Sequence, residues 1–116
     1  MLLIATLLAI CGPGPRVNCI VDGDTFWLAG EKIRIENIDT PEISEPKCPA
    51  ERAAGERAKV RLQQLLSDGE IAIQRTGVDR YKRTLAVVRV NGRDVGEVLI
   101  REGFARRWDG ARRPWC

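Results

Sequence analysis

The chain has 116 residues, enough for one domain with a modest hydrophobic core. Hydrophobic residues at 44% and charged residues at 30% exclude wholesale disorder, and no apolar run approaches the ~18 residues of a membrane span. The sequence contains no histidine, which excludes His-based catalytic triads and histidine-ligated zinc or haem. Any catalysis must therefore use carboxylates, arginines, lysines, the tyrosine or a metal ion.

The N-terminal residues 1–10 (MLLIATLLAI) form an apolar run about as long as the core of a signal peptide. No lysine or arginine precedes the run, and the cleavage pattern ending at Ala9 is poor. The same run is also compatible with an extra edge strand. Residues 1–15 are therefore interpreted as a leader or an edge strand with a Gly/Pro turn, and residues 16–116 as the folded domain.

The remaining pattern predicts an α+β fold that is mainly β. Three strands are expected at 17–21, 24–28 and 32–38, and a proline-rich irregular segment follows. The pattern of residues 50–66 predicts a helix. Further strands are expected around 71–73 and at 85–90. An Asn91-Gly92 turn and a short helix follow, and this helix begins at Val95 and ends before Gly103. The expected buried stripe of the long helix consists of Ala50, Ala54, Ala58, Leu62, Leu65 and Leu66. Five short strands with a helix inserted after the third favour a small closed barrel.

Four cysteines without a CxxC pair favour two disulfides over a zinc site. Three pairings are possible. We favour Cys11–Cys19, which closes a loop containing Gly12-Pro13-Gly14-Pro15, and Cys48–Cys116, which would fix the C-terminal tail to the body. Free thiols in a reducing compartment are the alternative.

The positive charge is concentrated near the C-terminus. The segment from Arg101 to Arg113 contains five arginines and two acidic residues. Its net charge of +3 equals that of the whole chain. This tail is either a solvated surface or a patch that attracts phosphate groups.

Two acidic clusters are candidates for chemistry: Asp22-Gly23-Asp24-Thr25 and Asp39-Thr40-Pro41-Glu42. Each sequence is also typical of an ordinary turn. If the hairpin turns near residues 30 and 31, Asp24 lies opposite Glu36 or Asn37, and Asp24 and Asp39 reach the same end of the hairpin, roughly 7–10 Å apart. Carboxylates grouped in this way suit calcium or magnesium, and the nearby Arg34 suits a bound phosphate.

A third candidate segment is Asp79-Arg80-Tyr81-Lys82-Arg83, which precedes a predicted strand. It is interpreted either as a polar hairpin loop or as a second phosphate clamp to which Tyr81 adds a hydroxyl. Composition does not choose between these two interpretations.

The strings VDGDTFWL, IRIENIDTPE, DRYKRTLAVV and GRDVGEVLIREGFA, in this order, closely resemble the staphylococcal-nuclease-like (thermonuclease) family. The resemblance covers about residues 17–107. It implies an OB-fold barrel with helices packed against it, and calcium-dependent cleavage of DNA and RNA at the 5′-oxygen that leaves 3′-phosphates.

The resemblance also implies roles for individual residues. Asp24 and Asp39 correspond to the calcium carboxylates, and Thr40 would add its backbone carbonyl. Arg34 and Arg83 resemble the two arginines that hold the scissile phosphate.

Glu42 corresponds to the carboxylate that orients or deprotonates the attacking water. Arg80 and Tyr81 stand where the family contacts a terminal phosphate of the nucleotide. Every catalytic position therefore carries the expected residue type.

Some positions depart from the family pattern. Lys82 stands where the family usually has glycine, so the loop that presents Arg83 is expected to be sensitive to this residue. The type member flanks the base with tyrosines, whereas the nearest aromatic residues here are Trp108 and Trp115, in a different register. We transfer no base-binding role to them.

The resulting hypothesis is a monomeric, extracytoplasmic, calcium-dependent nuclease whose partners are DNA and RNA substrates. A non-catalytic OB-fold module that binds nucleic acid is the main alternative, and a disulfide-stabilised structural or inhibitory domain is a third. Glu42 distinguishes the first two, because a binding module does not need a water-activating carboxylate.

Overall fold

A computed structural model describes residues 8–111 and 113–116 of the protein. The two helices are α1 (Pro49–Leu66) and α2 (Val95–Arg101). The nine strands found in the described ranges are β1 (Ala9–Ile10), β2 (Cys19–Asp22), β3 (Thr25–Leu28), β4 (Glu31–Ile35), β5 (Ile38–Asp39), β6 (Ile71–Val78), β7 (Thr84–Val90), β8 (Arg93–Asp94) and β9 (Arg106–Arg107).

The main sheet is open rather than closed. Its strands follow the order β1-β2-β3-β4-β7-β6, with β8 paired to β7, and β5 and β9 form a separate two-stranded sheet. Over residues 8–111 and 113–116 no pairing joins β1 to β6, so the expected five-stranded closed barrel is wrong in both closure and strand number. The physical reason is that one sheet edge is occupied by β1, a two-residue strand parallel to β2. The mixed α+β class is confirmed.

The register of the β3–β4 hairpin differs from the expected one. Leu28 pairs with Glu31, so a two-residue turn joins the strands, with positive φ at Ala29 (50°) and Gly30 (81°). The expected turn was longer, and its pairing of Asp24 with Glu36 or Asn37 is therefore wrong. Instead, the backbone carbonyl of Asp24 accepts a hydrogen bond of 2.8 Å from the backbone N–H of Ile35.

The buried side of α1 follows the predicted stripe at its C-terminal half, where Ala58, Leu62 and Leu66 are buried. At the N-terminal end the prediction is wrong, because Ala50 is exposed and Glu51 is buried instead. The carboxylate of Glu51 turns inward because it accepts backbone hydrogen bonds from the preceding loop. Packing of that loop therefore overrides the apolar pattern.

The core lies between the main sheet and the two helices. Side chains from all these elements are almost fully buried, including Ile20, Phe26, Ile33, Ile35, Ile38, Leu62, Leu66, Val88 and Leu99. No helix in the described part of the chain is long and apolar enough to cross a membrane.

Both predicted disulfides are confirmed. Cys11–Cys19 joins the segment after β1 to the start of β2, and Cys48–Cys116 joins the residue before α1 to the C-terminal residue. Residues 1–7, and with them the leader interpretation of the apolar run, lie outside the described residues.

Close packing of α1 against the segment after β5 yields a first prediction. A Cβ atom at Gly55 would lie 2.8 Å from both the backbone carbonyl oxygen of Pro41 and Cγ1 of Ile43. At an exposed helix position Gly→Ala would stabilise by about 1 kcal/mol. Here the backbone contact cannot give way easily, so we expect Gly55→Ala to lower the free energy of unfolding by about 1–3 kcal/mol, measured by urea denaturation.

The matched control is Gly77→Ala in β6, where an added Cβ meets no atom within 4 Å among the described residues. This variant should unfold at the wild-type urea concentration or higher. A stabilising Gly55→Ala substitution would contradict the packing argument.

Candidate active site

Asp24, at the turn between β2 and β3, is the centre of a buried polar network. Its Oδ1 accepts a hydrogen bond from the Thr25 hydroxyl (2.9 Å) and its Oδ2 accepts one from the Thr40 hydroxyl (3.0 Å). The guanidinium of Arg34 lies 3.6 Å from Oδ2. Asp24, Thr25 and Thr40 are all buried, so this network joins the two acidic clusters inside the protein.

Asp22 and Asp24 ionise differently although they are neighbours. Burial raises the pKa of Asp22 to about 8, and the negative charge of Asp24 adds to this shift. Burial also opposes ionisation of Asp24, but Arg34 and the surrounding hydrogen bonds outweigh it and hold the pKa of Asp24 below its ordinary value. Burial thus favours the protonated form of Asp22 near neutral pH, whereas Arg34 favours the ionised form of Asp24.

Asp39 lies at the end of β5 and is 6% exposed. It pairs with Arg106 of β9, and its Oδ2 accepts a hydrogen bond of 3.2 Å from the indole N–H of Trp115. Thr40, the next residue, links this strand to Asp24. The hydroxyl of Thr40 thus connects the two acidic clusters, while the expected grouping of Asp24 with Asp39 stays a prediction.

Arg34 is held by the backbone as well as by Asp24. Its two terminal nitrogens donate hydrogen bonds to the carbonyl oxygens of Ile35 and Ile38. Since an arginine has five N–H donors, these two bonds orient the guanidinium and leave capacity for an anionic ligand.

The loop between β6 and β7 is organised by the carboxylate of Asp79. This carboxylate accepts hydrogen bonds from the backbone N–H groups of Tyr81 and Arg83 (2.9 Å each) and from Nε of Arg83 (2.7 Å). Lys82 takes up the left-handed conformation, with φ of 65°. That conformation explains why glycine suits this position.

A groove of about 560 Å³ brings five of the predicted site residues together. It is lined in part by Arg34, Asp39, Arg80, Tyr81 and Arg83. The ring of Tyr81 is 64% exposed, with the guanidinium carbons of Arg80 and Arg83 5.0 Å and 5.4 Å from its centre. Positive charge thus surrounds one aromatic ring, an arrangement that suits a phosphate with an attached nucleoside.

Glu42 does not line this groove. It lines a second cavity of about 560 Å³ together with Glu51, Arg113 and Trp115. The carboxylate of Glu51 accepts hydrogen bonds from the backbone N–H groups of Glu42 (3.1 Å) and Lys47 (2.7 Å), which fixes the loop that carries Glu42. Trp115 contacts Asp39, so it connects the cavity of Glu42 to the groove.

The donors around Asp24 fit a hard divalent cation. Carboxylate, hydroxyl and backbone carbonyl oxygens are the ligands that calcium prefers. Within the described ranges, however, no cluster of three or more acidic or cysteine side chains is already arranged around a metal position.

The family model for staphylococcal nuclease homologues matches residues 32–114. This chain belongs to the staphylococcal nuclease homologue family. The match includes the segments that carry Arg34, Asp39, Glu42 and Arg83.

Three relatives illustrate the similarity. The chain is 34% identical over 113 residues to an uncharacterized endonuclease of Haemophilus influenzae, a match covering 90% of this chain and 60% of that protein. It is 37% identical over 93 residues to endonuclease YncB of Bacillus subtilis, with coverage of 74% and 44%. It is 30% identical over 101 residues to the thermonuclease of Staphylococcus intermedius, with coverage of 82% and 60%. The chain therefore spans less than two thirds of the length of these relatives.

Three residues around the candidate site were not predicted to contribute to it: Asp22, Glu51 and Trp115. Asp22 was visible in an acidic cluster, but its retained proton depends on burial. In the sequence, Glu51 is an ordinary acidic residue in the first turn of a helix. Its hydrogen bonds to the backbone of the preceding loop are visible only in the structure. No role was transferred to Trp115, whereas its indole N–H donates a hydrogen bond to Asp39.

The raised pKa of Asp22 predicts how stability depends on pH without divalent cations. The folded state keeps this proton up to about pH 8, whereas the unfolded state releases it near 3.8. Between these values the folded state binds more protons, so this site's contribution to stability falls as pH rises. Asparagine does not titrate, so we expect the stability of Asp22→Asn relative to wild type to increase between pH 5 and pH 8.

Urea unfolding in EGTA at both pH values measures this difference. The compared quantity is the free energy of unfolding of the variant minus that of the wild type. If this quantity is the same at both pH values, or smaller at pH 8, Asp22 does not hold the proton.

Proposed function

We propose that this protein is a calcium-dependent endonuclease that hydrolyses DNA and RNA at the 5′-oxygen and leaves 3′-phosphates. The observation that carries the proposal is the groove lined by two oriented arginines, Arg34 and Arg83, and by the buried Asp39, with the carboxylate of Asp24 3.6 Å from the Arg34 guanidinium. The endonuclease and thermonuclease names of the relatives support it. The five longer strands with an inserted helix support an OB-fold that is open at one edge.

In this proposal Arg34 and Arg83 bind the scissile phosphate. Attack on a phosphodiester builds negative charge on its non-bridging oxygens, and planar guanidinium groups stabilise that charge through paired hydrogen bonds. Arg34 is oriented by Asp24 and two backbone carbonyls, and Arg83 by Asp79. Both guanidinium groups are therefore oriented before the phosphate binds, which reduces the reorganisation needed during the reaction.

Arg80 and Tyr81 are proposed to hold a neighbouring phosphate and its nucleoside at the exposed side of the groove. Tyr81 offers a hydroxyl and a ring face, and Arg80 adds positive charge. These contacts do not read a base edge. This arrangement supports broad sequence tolerance.

Asp24, Asp39 and the backbone carbonyl of Thr40 would hold the calcium ion. When bound, the ion supplies positive charge at the reacting phosphate. The chain's own contribution is to keep Asp24 ionised through Arg34, Thr25 and Thr40, and to fix Asp39 in β5.

Glu42 is proposed to orient or deprotonate the attacking water. A carboxylate does this when it is ionised and within hydrogen-bond reach of the water. Glu51 fixes the backbone of Glu42, so the position of the carboxylate depends on the start of α1.

One observation favours the alternative of a non-catalytic binding module. Glu42 lines the cavity beside Trp115 rather than the groove with the two arginines. The first experiment therefore separates binding from cleavage.

We further infer an extracytoplasmic location. Two disulfides support it, because such bonds persist in oxidising compartments. The monomeric state stays a prediction.

Calcium dependence and the role of Glu42 are tested together on end-labelled single-stranded DNA and RNA. We expect cleavage with calcium, none with EGTA, and 3′-phosphate ends on the products. Glu42→Gln should reduce kcat by about 10²–10⁴-fold, the usual contribution of general acid–base catalysis, with little change in DNA affinity. Glu70→Gln, an exposed acid ahead of β6, is the matched control.

Three outcomes would contradict parts of this proposal. Full activity in EGTA would exclude calcium dependence. Full activity of Glu42→Gln would remove the role of that carboxylate. A wild-type protein that binds calcium and DNA but cuts neither nucleic acid would establish the binding module.

The need for planar guanidinium groups is tested by Arg34→Lys and Arg83→Lys. Lysine keeps the charge but cannot bridge two phosphate oxygens, so each variant should lose about 10²–10³-fold in kcat. Arg89→Lys, on exposed β7 surface, should keep wild-type kinetics. Near-normal kcat in both site variants would mean that positive charge alone, without the planar guanidinium group, is sufficient for catalysis.

A further inference from the structure

The C-terminal residues 113–116, here called the tail segment, are attached to the body at several points. Cys116 is bonded to Cys48, which immediately precedes α1. The guanidinium of Arg106 donates a hydrogen bond of 2.8 Å to the carbonyl oxygen of Pro114, and its carbon lies 3.6 Å from the centre of the Trp115 ring. These contacts hold a segment that would otherwise move freely.

Trp115 is the part of the tail segment that reaches inward. Its side chain is partly buried, whereas Arg113, Pro114 and Cys116 are exposed. Its indole N–H donates a hydrogen bond of 3.2 Å to Oδ2 of Asp39. Arg106, which stacks on the ring, is also the strand partner of Asp39. The contact is therefore built from both sides by β9 and the disulfide.

We propose that Trp115 is a positioning residue that orients the carboxylate of Asp39 for calcium, and that the Cys48–Cys116 disulfide keeps Trp115 in place. This rests on the proposed function, because it takes Asp39 as a calcium ligand. A carboxylate has about four lone-pair directions, so an indole N–H can orient the carboxylate of Asp39 and share it with a cation.

The expected effect of Trp115 on calcium affinity follows from similar hydrogen-bond donors at other metal sites. Groups that hydrogen-bond to a metal-ligating side chain typically contribute about 10–100-fold to metal affinity. The indole N–H has this relation to Asp39. The disulfide contributes indirectly, since it closes a loop of 68 residues in sequence and confines the tail segment near Asp39.

The test is isothermal titration of calcium into the full chain, with disulfides intact and no nucleic acid. Trp115→Phe keeps an aromatic ring over Arg106 but removes the N–H donor, and should weaken calcium binding about 10–100-fold. Cys48→Ser combined with Cys116→Ser should weaken it as well. Adding Trp115→Phe to this double variant should cause little further loss, because both changes remove the same contact.

Two matched controls separate positioning from general damage. Trp27→Phe removes an indole N–H that has no hydrogen-bond partner among the described residues, and Cys11→Ser with Cys19→Ser removes the other disulfide. Both should keep wild-type calcium affinity below their melting temperatures, with folding checked by circular dichroism. In cleavage assays, saturating calcium should restore kcat in Trp115→Phe, a recovery that a merely misfolded variant would not show.

The outcomes divide clearly. Unchanged or tighter calcium binding by Trp115→Phe, while the wild type binds calcium, overturns the positioning role and leaves the proposed function intact. A wild-type protein that binds no calcium overturns both. Equal weakening by Trp27→Phe would also overturn the inference, because the effect would then not depend on Asp39.

Discussion

The site depends on keeping one buried carboxylate charged. Asp24 lies away from solvent, where an unpaired charge would be strongly unfavourable. Arg34, Thr25 and Thr40 compensate it, and these residues come from β4, β3 and the segment after β5. Removing one partner of such a buried pair typically costs about 3–5 kcal/mol. The same network that holds Asp24 ionised therefore holds three chain segments together.

Arg34 connects the buried carboxylate of Asp24 to the backbone. It donates to the carbonyl oxygens of Ile35 and Ile38, so it spans the bend between β4 and β5. That bend leads to Thr40, whose hydroxyl donates a hydrogen bond to Asp24. On the other side, Glu51 and the close approach at Gly55 hold the following loop against α1. The positions of Asp39 and Glu42 are consequently set by backbone contacts, which makes them less sensitive to motions of long surface side chains.

Sequence reasoning worked where one local rule decides the structure. The Asn91-Gly92 turn, the body of α1 and the Cys11–Cys19 loop all follow from local residue preferences, and the structure contains each. Other features were predicted wrongly or not at all. The register near Asp24 changed because Ala29, not only Gly30, adopts positive φ and shortens the turn. The burial of Glu51 and the contact of Trp115 with Asp39 both depend on loops that no local pattern brings together.

Lys82 illustrates how a functional loop tolerates an unfavourable residue. Its left-handed backbone costs about 1–2 kcal/mol for a residue with a side chain. The carboxylate of Asp79 accepts three hydrogen bonds across the same loop, each worth about 1 kcal/mol or more. Since these bonds outweigh the backbone cost, the turn does not require glycine. The orientation of Arg83 follows from its own bond to Asp79, so the lysine changes the energy of the loop more than the direction in which the loop presents its arginine.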